Sequence, residues 1–156
     1  MSFMNSINII GSGLTAQQLR LDVISENVTN SQTTRTENGT GAYRRKMVVF
    51  QAQSGRNSFR AAMARAAGQT VTPNTGYNPN AGGVRVTQII EDETPMKLVY
   101  DPAHPDANED GYVELPNVDM VKEIADAMAA SRSFASNVTA FNTLKSVIAS
   151  GLEIGK

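Results

Sequence analysis

Two apolar seams with a seven-residue repeat lie at opposite ends of this 156-residue chain, and they limit its fold more than any other feature. Near the start, Phe3, Ile7, Ile10, Leu14, Gln17, Leu21, Ile24 and Val28 follow one another at alternating spacings of four and three. Near the end, Met120, Ile124, Ala127, Ser131, Phe134, Val138, Phe141, Lys145, Ile148 and Leu152 keep the same rhythm. Almost all of these residues are apolar, and the spacing is that of an a/d stripe on an α-helix. The first helix is predicted from about Met4 to Asn30 and the second from Asn117 onward. At 1.5 Å per residue each would be about 40–50 Å long, which is long for a compact domain of this size. Two such helices at the two ends of one chain predict an antiparallel pair, with whatever lies between them at one end of the rod.

Local propensity does not hold these helices. Gly11 and Gly13 each cost the first about 1 kcal/mol relative to alanine, and Gly151 and Gly155 loosen the end of the second. Burial must supply the difference. Charge supports the same reading, because residues 1–19 and 133–144 carry no ionised side chain. The apolar surface also exceeds one seam: Ile9, Ala16 and Val23 widen the first helix, and Val121, Ala125, Met128 and Ala135 add a second stripe to the other. One helical hairpin cannot bury both stripes, so partners are expected. The residues expected to carry packing and assembly are Ile7, Ile10, Leu14, Leu21, Ile24 and Val28, with Ile124, Phe134, Val138, Phe141, Ile148 and Leu152. Asn117, after Pro116, is the expected N-cap of the second helix, and Asp119 suits the positive end of its dipole.

The middle of the chain has a different rhythm. Tyr43–Gln53, Gly83–Glu91, Met96–Tyr100 and Tyr112–Leu115 read as short strands, set off by Pro, Gly, Asn and Asp. Residues 54–82, rich in Ala, Gly, Asn and Thr, read as an exposed insertion, with one or two helical turns within Asn57–Ala67. The expected fold is therefore mainly α with a small β element. Residues 1–32 and 117–156 form a paired helical domain. Residues 33–53 and 83–116 form a small β connecting element, and 54–82 an insertion that is flexible or ordered by a partner.

Chemistry is sparse. There is no cysteine, so disulfides and thiolate metal sites are excluded, and a single histidine builds neither a zinc site nor a histidine-activated nucleophile. A net charge of −1 makes no electrostatic case for nucleic acid or an anionic membrane. No apolar run reaches the roughly 20 residues of a membrane span, and MSFMNSINII lacks the basic and apolar regions of a cleaved signal. The one motif that invites a metal is HPDANEDGYVELPN, residues 104–117, where Asp106, Asn108, Asp110 and Gly111 match the first half of an EF-hand calcium loop. The twelfth position, which needs a bidentate glutamate, holds Asn117, and Pro102 and Pro105 oppose an incoming helix. Two readings follow: an Asp/Asn/Gly turn between extended segments, or a small calcium-responsive binding module. His104 reads as a surface histidine. Alternation along a strand splits Arg44, Arg45 and Lys46 between two faces, which favours ion pairs with a neighbour. Glu91, Asp92 and Glu93 have no partner base. No enzyme, cofactor or metal is expected.

Two stretches carry a family resemblance. SGLTAQQLRLDVISENVTNSQTTRT, residues 12–36, resembles the motif shared by flagellar rod and hook proteins. Residues 83–156, with YDPAHPDANEDGYVELPNV as the most distinctive segment, resemble the proximal-rod proteins of the bacterial flagellar basal body, and among them the FlgC type. Only residues 54–82 depart from that pattern. The resemblance implies paired terminal helices lining a tube, export through the flagellar type III apparatus without a cleaved signal, and a place in the periplasmic rod. It implies as neighbours copies of the chain, other rod proteins, the rod-base adaptor and the membrane ring. It implies torque transmission without catalysis.

Overall fold

The computed structural model of the chain describes residues 3–36, 41–53, 63, 66–68 and 82–154. Helix α1 (Phe3–Thr29) is followed by strands β1 (Lys46–Ala52), β2 (Val84–Glu91), β3 (Lys97–Tyr100) and β4 (Tyr112–Leu115), and then by helix α2 (Met120–Ile154). All but a few residues of the 54–82 insertion, with the turns expected in Asn57–Ala67, lie outside the described residues. The strands form two separate antiparallel pairs, β1 with β2 and β3 with β4. In the first pair Val49 lies opposite Gln88 and Phe50 opposite Val86, so Thr87 is an extra residue that bends β2.

The helices pair antiparallel, and three points of contact fix their alignment. Near the start of α1, a Cβ placed on Gly13 would lie 3.0 Å from Asn137 Nδ2. In the middle, Arg20 Nη2 donates to Asp126 Oδ1 at 3.3 Å. Near the end, Asn27 Nδ2 donates to Glu123 Oε2 at 3.0 Å. Gly13 is thus a point of close approach, whereas nothing comes within 4 Å of a Cβ at Gly11.

The β1–β2 pair lies along α1 instead of capping one end of the rod. Lys46 at the start of β1 is bonded to Asn27, and the Val84 N–H at the start of β2 donates to Ser12 Oγ at 3.1 Å. Fifteen helical residues separate these two anchors, about 22 Å at 1.5 Å per residue. The close approach at Ser12 requires Gly83, which has φ 102° and whose place a Cβ would fill within 2.5 Å of Ser12 Oγ. This explains why Ala16 and Val23, which the sequence suggests merely widen α1, are among its deepest residues: that face is closed from two sides.

The start of α2 corrects the expected cap. Asp119, not Asn117, caps the helix, its Oδ1 accepting the Val121 N–H at 3.1 Å. Burial alone would raise the Asp119 pKa, but the N–H groups of Lys122 and Val121 outweigh it and hold the carboxylate below its usual range. Asn117 is committed elsewhere. Its Oδ1 accepts the Arg45 N–H at 2.8 Å, and its Nδ2 donates toward the carbonyls of Asp92 and Thr94 at 3.0 and 3.1 Å. It ties the strand that follows α1 to the loop after β2, just before the chain enters α2.

Candidate assembly surface and the polar cluster behind it

The predicted packing residues divide between two surfaces. On α1, Ile24 is buried and Ile7, Ile10, Leu14, Leu21 and Val28 are half-buried. On α2, Phe134 and Ile148 are half-buried, but Ile124 is 51% exposed, Leu152 70%, and Val138 and Phe141 lie at the margin of exposure. The reason is a rotation of the seam by one residue. The row Ala127, Phe134 and Ile148 does turn inward, as expected. The row beside it on the inner face is Glu123, Ala130, Asn137 and Leu144, not the predicted Ile124, Ser131, Val138, Lys145 and Leu152. Glu123 and Ala130 are completely buried.

The apolar row is consequently left outside. Val121, Ile124, Met128, Val138 and Leu152 make a stripe along the outer face of α2, with Val121 77% exposed and Met128 52%. Val121, Ile124 and Met128 thus keep the three-and-four spacing of a coiled-coil seam on a surface that the described residues leave largely uncovered.

Behind this stripe lies a polar cluster at the junction of α1, α2 and β1. Asn27 is 1% exposed and uses its full hydrogen-bonding capacity. Its Oδ1 accepts the Lys46 N–H at 2.9 Å and the Tyr43 hydroxyl at 3.0 Å. Its Nδ2 donates to the Lys46 carbonyl at 2.9 Å and to Glu123 Oε2. The side-chain amide thus pairs with the backbone of Lys46 as a neighbouring strand would. The other oxygen of Glu123 accepts Arg45 Nε at 2.6 Å. Arg45 also faces Asp92 at 3.4 Å and Asp126 at 3.6 Å. Burial would lower the Arg45 pKa, but the bond and charge of Glu123, and then of Asp92, leave it raised. Burial first, and then the carboxylates of Glu26, Glu123 and Glu91, push the Tyr43 phenol well above its usual value, so it stays a neutral donor. Lys46 pairs with Glu26 on α1. Of the Arg44–Lys46 run, Arg45 and Lys46 thus find their ion pairs inside the chain itself.

Sequence reasoning did not single out Asn27, Tyr43 or Glu123. Glu123 carried a usable signal: it stands seven and fourteen residues before Ala130 and Asn137, and a carboxylate on a small-residue heptad row calls for a buried cation.

In the 104–117 stretch the Asp106 and Asn108 side chains are already engaged. Asp106 accepts Thr34 Oγ1 at 2.7 Å and pairs with Arg35, tying the loop to the end of α1. Asn108 Oδ1 accepts the N–H groups of Asp110 at 3.1 Å and Tyr112 at 2.8 Å. Gly111 takes φ 79° with the Tyr100 ring against it. These atoms do not converge on a common point, and among the described residues no group of three His, Asp or Glu side chains is arranged to hold a metal. Also among the described residues, no helix is long and apolar enough to cross a membrane.

Comparison with known proteins matches the same two regions. Residues 7–35 match the family described as flagella basal body rod protein, and residues 109–154 the C-terminal family of the flagellar basal body rod FlgEFG proteins. The flagellar basal-body rod protein FlgC of Bacillus subtilis is 43% identical over the full length of both chains. That of Borreliella burgdorferi is 42% identical over 99% of this chain and 98% of its own, and that of Escherichia coli O6:H1 is 38% identical over the full length of both. Identity at this level across the whole length, on both terminal helices and the turn between them, shows that the chain belongs to the FlgC family of flagellar basal-body rod proteins, structural subunits of that rod.

Proposed function

We propose that the chain assembles with copies of itself and with other rod proteins into the tubular drive shaft that transmits torque and surrounds the export channel. The observation that carries this reading is the largely exposed stripe Val121, Ile124, Met128, Val138 and Leu152, which suits a helical partner not found among the described residues. Residues 1–32 and 117–156 serve as the inner helical domain of the tube, with the half-buried α1 residues Ile7, Ile10, Leu14, Leu21 and Val28 offering further contact. The rod-base adaptor and the membrane ring are its neighbours at the base. The subunit reaches a periplasmic position through the flagellar type III export apparatus, without a cleaved signal. Catalysis has no part in this role.

The free subunit in this account is frayed at its helix ends, because assembly supplies burial that the monomer lacks. Deleting residues 135–156 should leave the protein expressed but abolish rod assembly and motility. A motile strain carrying that deletion would overturn the proposal.

A further inference from the structure

We propose that the buried cluster of Asn27, Glu123 and Arg45 is a register lock that sets the height at which α2 pairs with α1. The apolar part of the inner seam does not do this alone. Ala127, Phe134 and Ile148, with Phe141 at the margin of exposure, stand at multiples of seven residues, and a slide of seven residues brings each onto the former place of the next. Such a slide moves α2 by about 10 Å, yet changes mainly which apolar residue fills which gap.

The polar contacts respond differently. In the observed alignment Asn27 meets Glu123, Arg20 meets Asp126 and Gly13 meets Asn137. A slide of seven residues in one direction puts Ala130 opposite Asn27. It strips Glu123, completely buried in the observed alignment, of both Arg45 Nε and Asn27 Nδ2. Asn27 cannot follow, because its remaining bonds are to the backbone of Lys46 and to Tyr43. The start of α2 is tethered as well, Asn117 by the Arg45 N–H and the Val118 carbonyl by Lys97 Nζ at 2.6 Å, and these contacts add to the cluster without replacing it. A single polar position within an apolar seam is the established way in which helix pairs choose one register among near-equals. The consequence for assembly rests on the proposed function: the lock presents the outer stripe of α2 at one fixed height relative to the β strands. The lock itself is testable without any rod.

The chain has no cysteine, so engineered pairs report cleanly. In the purified full-length protein, Gly13→Cys with Asn137→Cys reports the observed register. Gly13→Cys with Ala130→Cys, or with Leu144→Cys, reports a slide of one heptad in either direction; in the observed register each of these pairs is a heptad apart, beyond the roughly 7 Å of Cα separation a disulfide spans. With the cluster intact, mild oxidation should close the 13–137 pair and leave the other two open. With Asn27→Leu, Arg45→Leu and Glu123→Leu together, the share of slipped cross-links should rise about tenfold, and with the near-isosteric Glu123→Gln about threefold. Phe134→Ala should lower helicity without changing the ratio. If the triple variant does not fold, the Glu123→Gln ratio decides. The proposal is overturned if the intact chain does not close 13–137, if Glu123→Gln leaves the ratio unchanged, or if Phe134→Ala shifts it as much as the cluster variants do.

Discussion

The inner face of α2 carries polar groups beside its apolar row that an ordinary surface helix would turn to water, and its outer face carries apolar side chains that such a helix would bury. The inner face buries Glu123, Ala130 and the half-covered Asn137, which are charged, small and polar. The outer face exposes Val121, Ile124, Met128 and Leu152. In a free-standing domain the apolar row would face the core and the charged residue the water. Here Glu123 and Asn137 lie inside beside Ala127, Phe134 and Ile148, while an apolar row of the same helix stays exposed. A helix's hydrophobic stripe therefore tells which face is meant to be covered, but not whether the covering chain is its own.

The largest effect expected on the inner face comes from breaking the cluster on one side only. Arg45→Met leaves Glu123 buried without its cation, and removing one partner of a buried ion pair costs about 3–5 kcal/mol. Chemical denaturation of the purified chain should show a loss of that order. A change under about 1 kcal/mol would mean that water reaches Glu123 and the inner face is not closed as described.

Acid probes the same face more gently. The Thr94 N–H first, and then Thr94 Oγ1 and Arg45, hold the Asp92 carboxylate below its ordinary value, against the opposing effect of burial. A carboxylate whose pKa is lower in the folded than in the unfolded state adds stability that is complete at neutral pH and is lost as pH falls through the folded value. Stability of the parent should thus decline below about pH 4. Asp92→Asn should be less stable at pH 7 and lose less on acidification. Parallel acid profiles for the two proteins would remove Asp92 from the account.

The smallest effects separate two glycines on one helix. Gly11 faces open space, and Gly11→Ala should stabilise α1 by about 0.5–1 kcal/mol through backbone propensity alone. Gly13→Ala carries the same propensity gain but forces Asn137 aside, so its net gain should be smaller or absent. Thermal melts of the two variants side by side read the difference. Equal gains would mean that α1 and α2 do not approach closely at Gly13.

Much of this was legible in the sequence because it is local. Heptad spacing marked both helices to within a few residues at their ends, and alternation marked the four strands. The errors arose where distant residues decide. Rows 123–130–137–144 and 124–131–138–145 are adjacent on α2 and share the same flank, so apolar content pointed to the second. What turns the first inward is a cation just before β1, an amide at the end of α1 and a missing side chain at Gly13, none near it in sequence. The cap failed similarly: Asn117 stands where a cap is plausible, but its amide binds Arg45, Asp92 and Thr94. The placement of β1–β2 along α1 likewise depends on Ser12 meeting Val84, 72 residues apart.

The outer face is tested by placing charge on it without touching the inner one. Ile124→Glu together with Met128→Glu changes two half-exposed side chains, and substitutions of that kind usually alter folding stability by no more than about 0.5 kcal/mol each. The purified variant should therefore denature with the parent. In cells lacking the native protein, it should be expressed but absent from isolated basal bodies, and the cells should not swim. Normal incorporation and motility of that variant would contradict the claim that the apolar stripe of α2 is where the rod is joined.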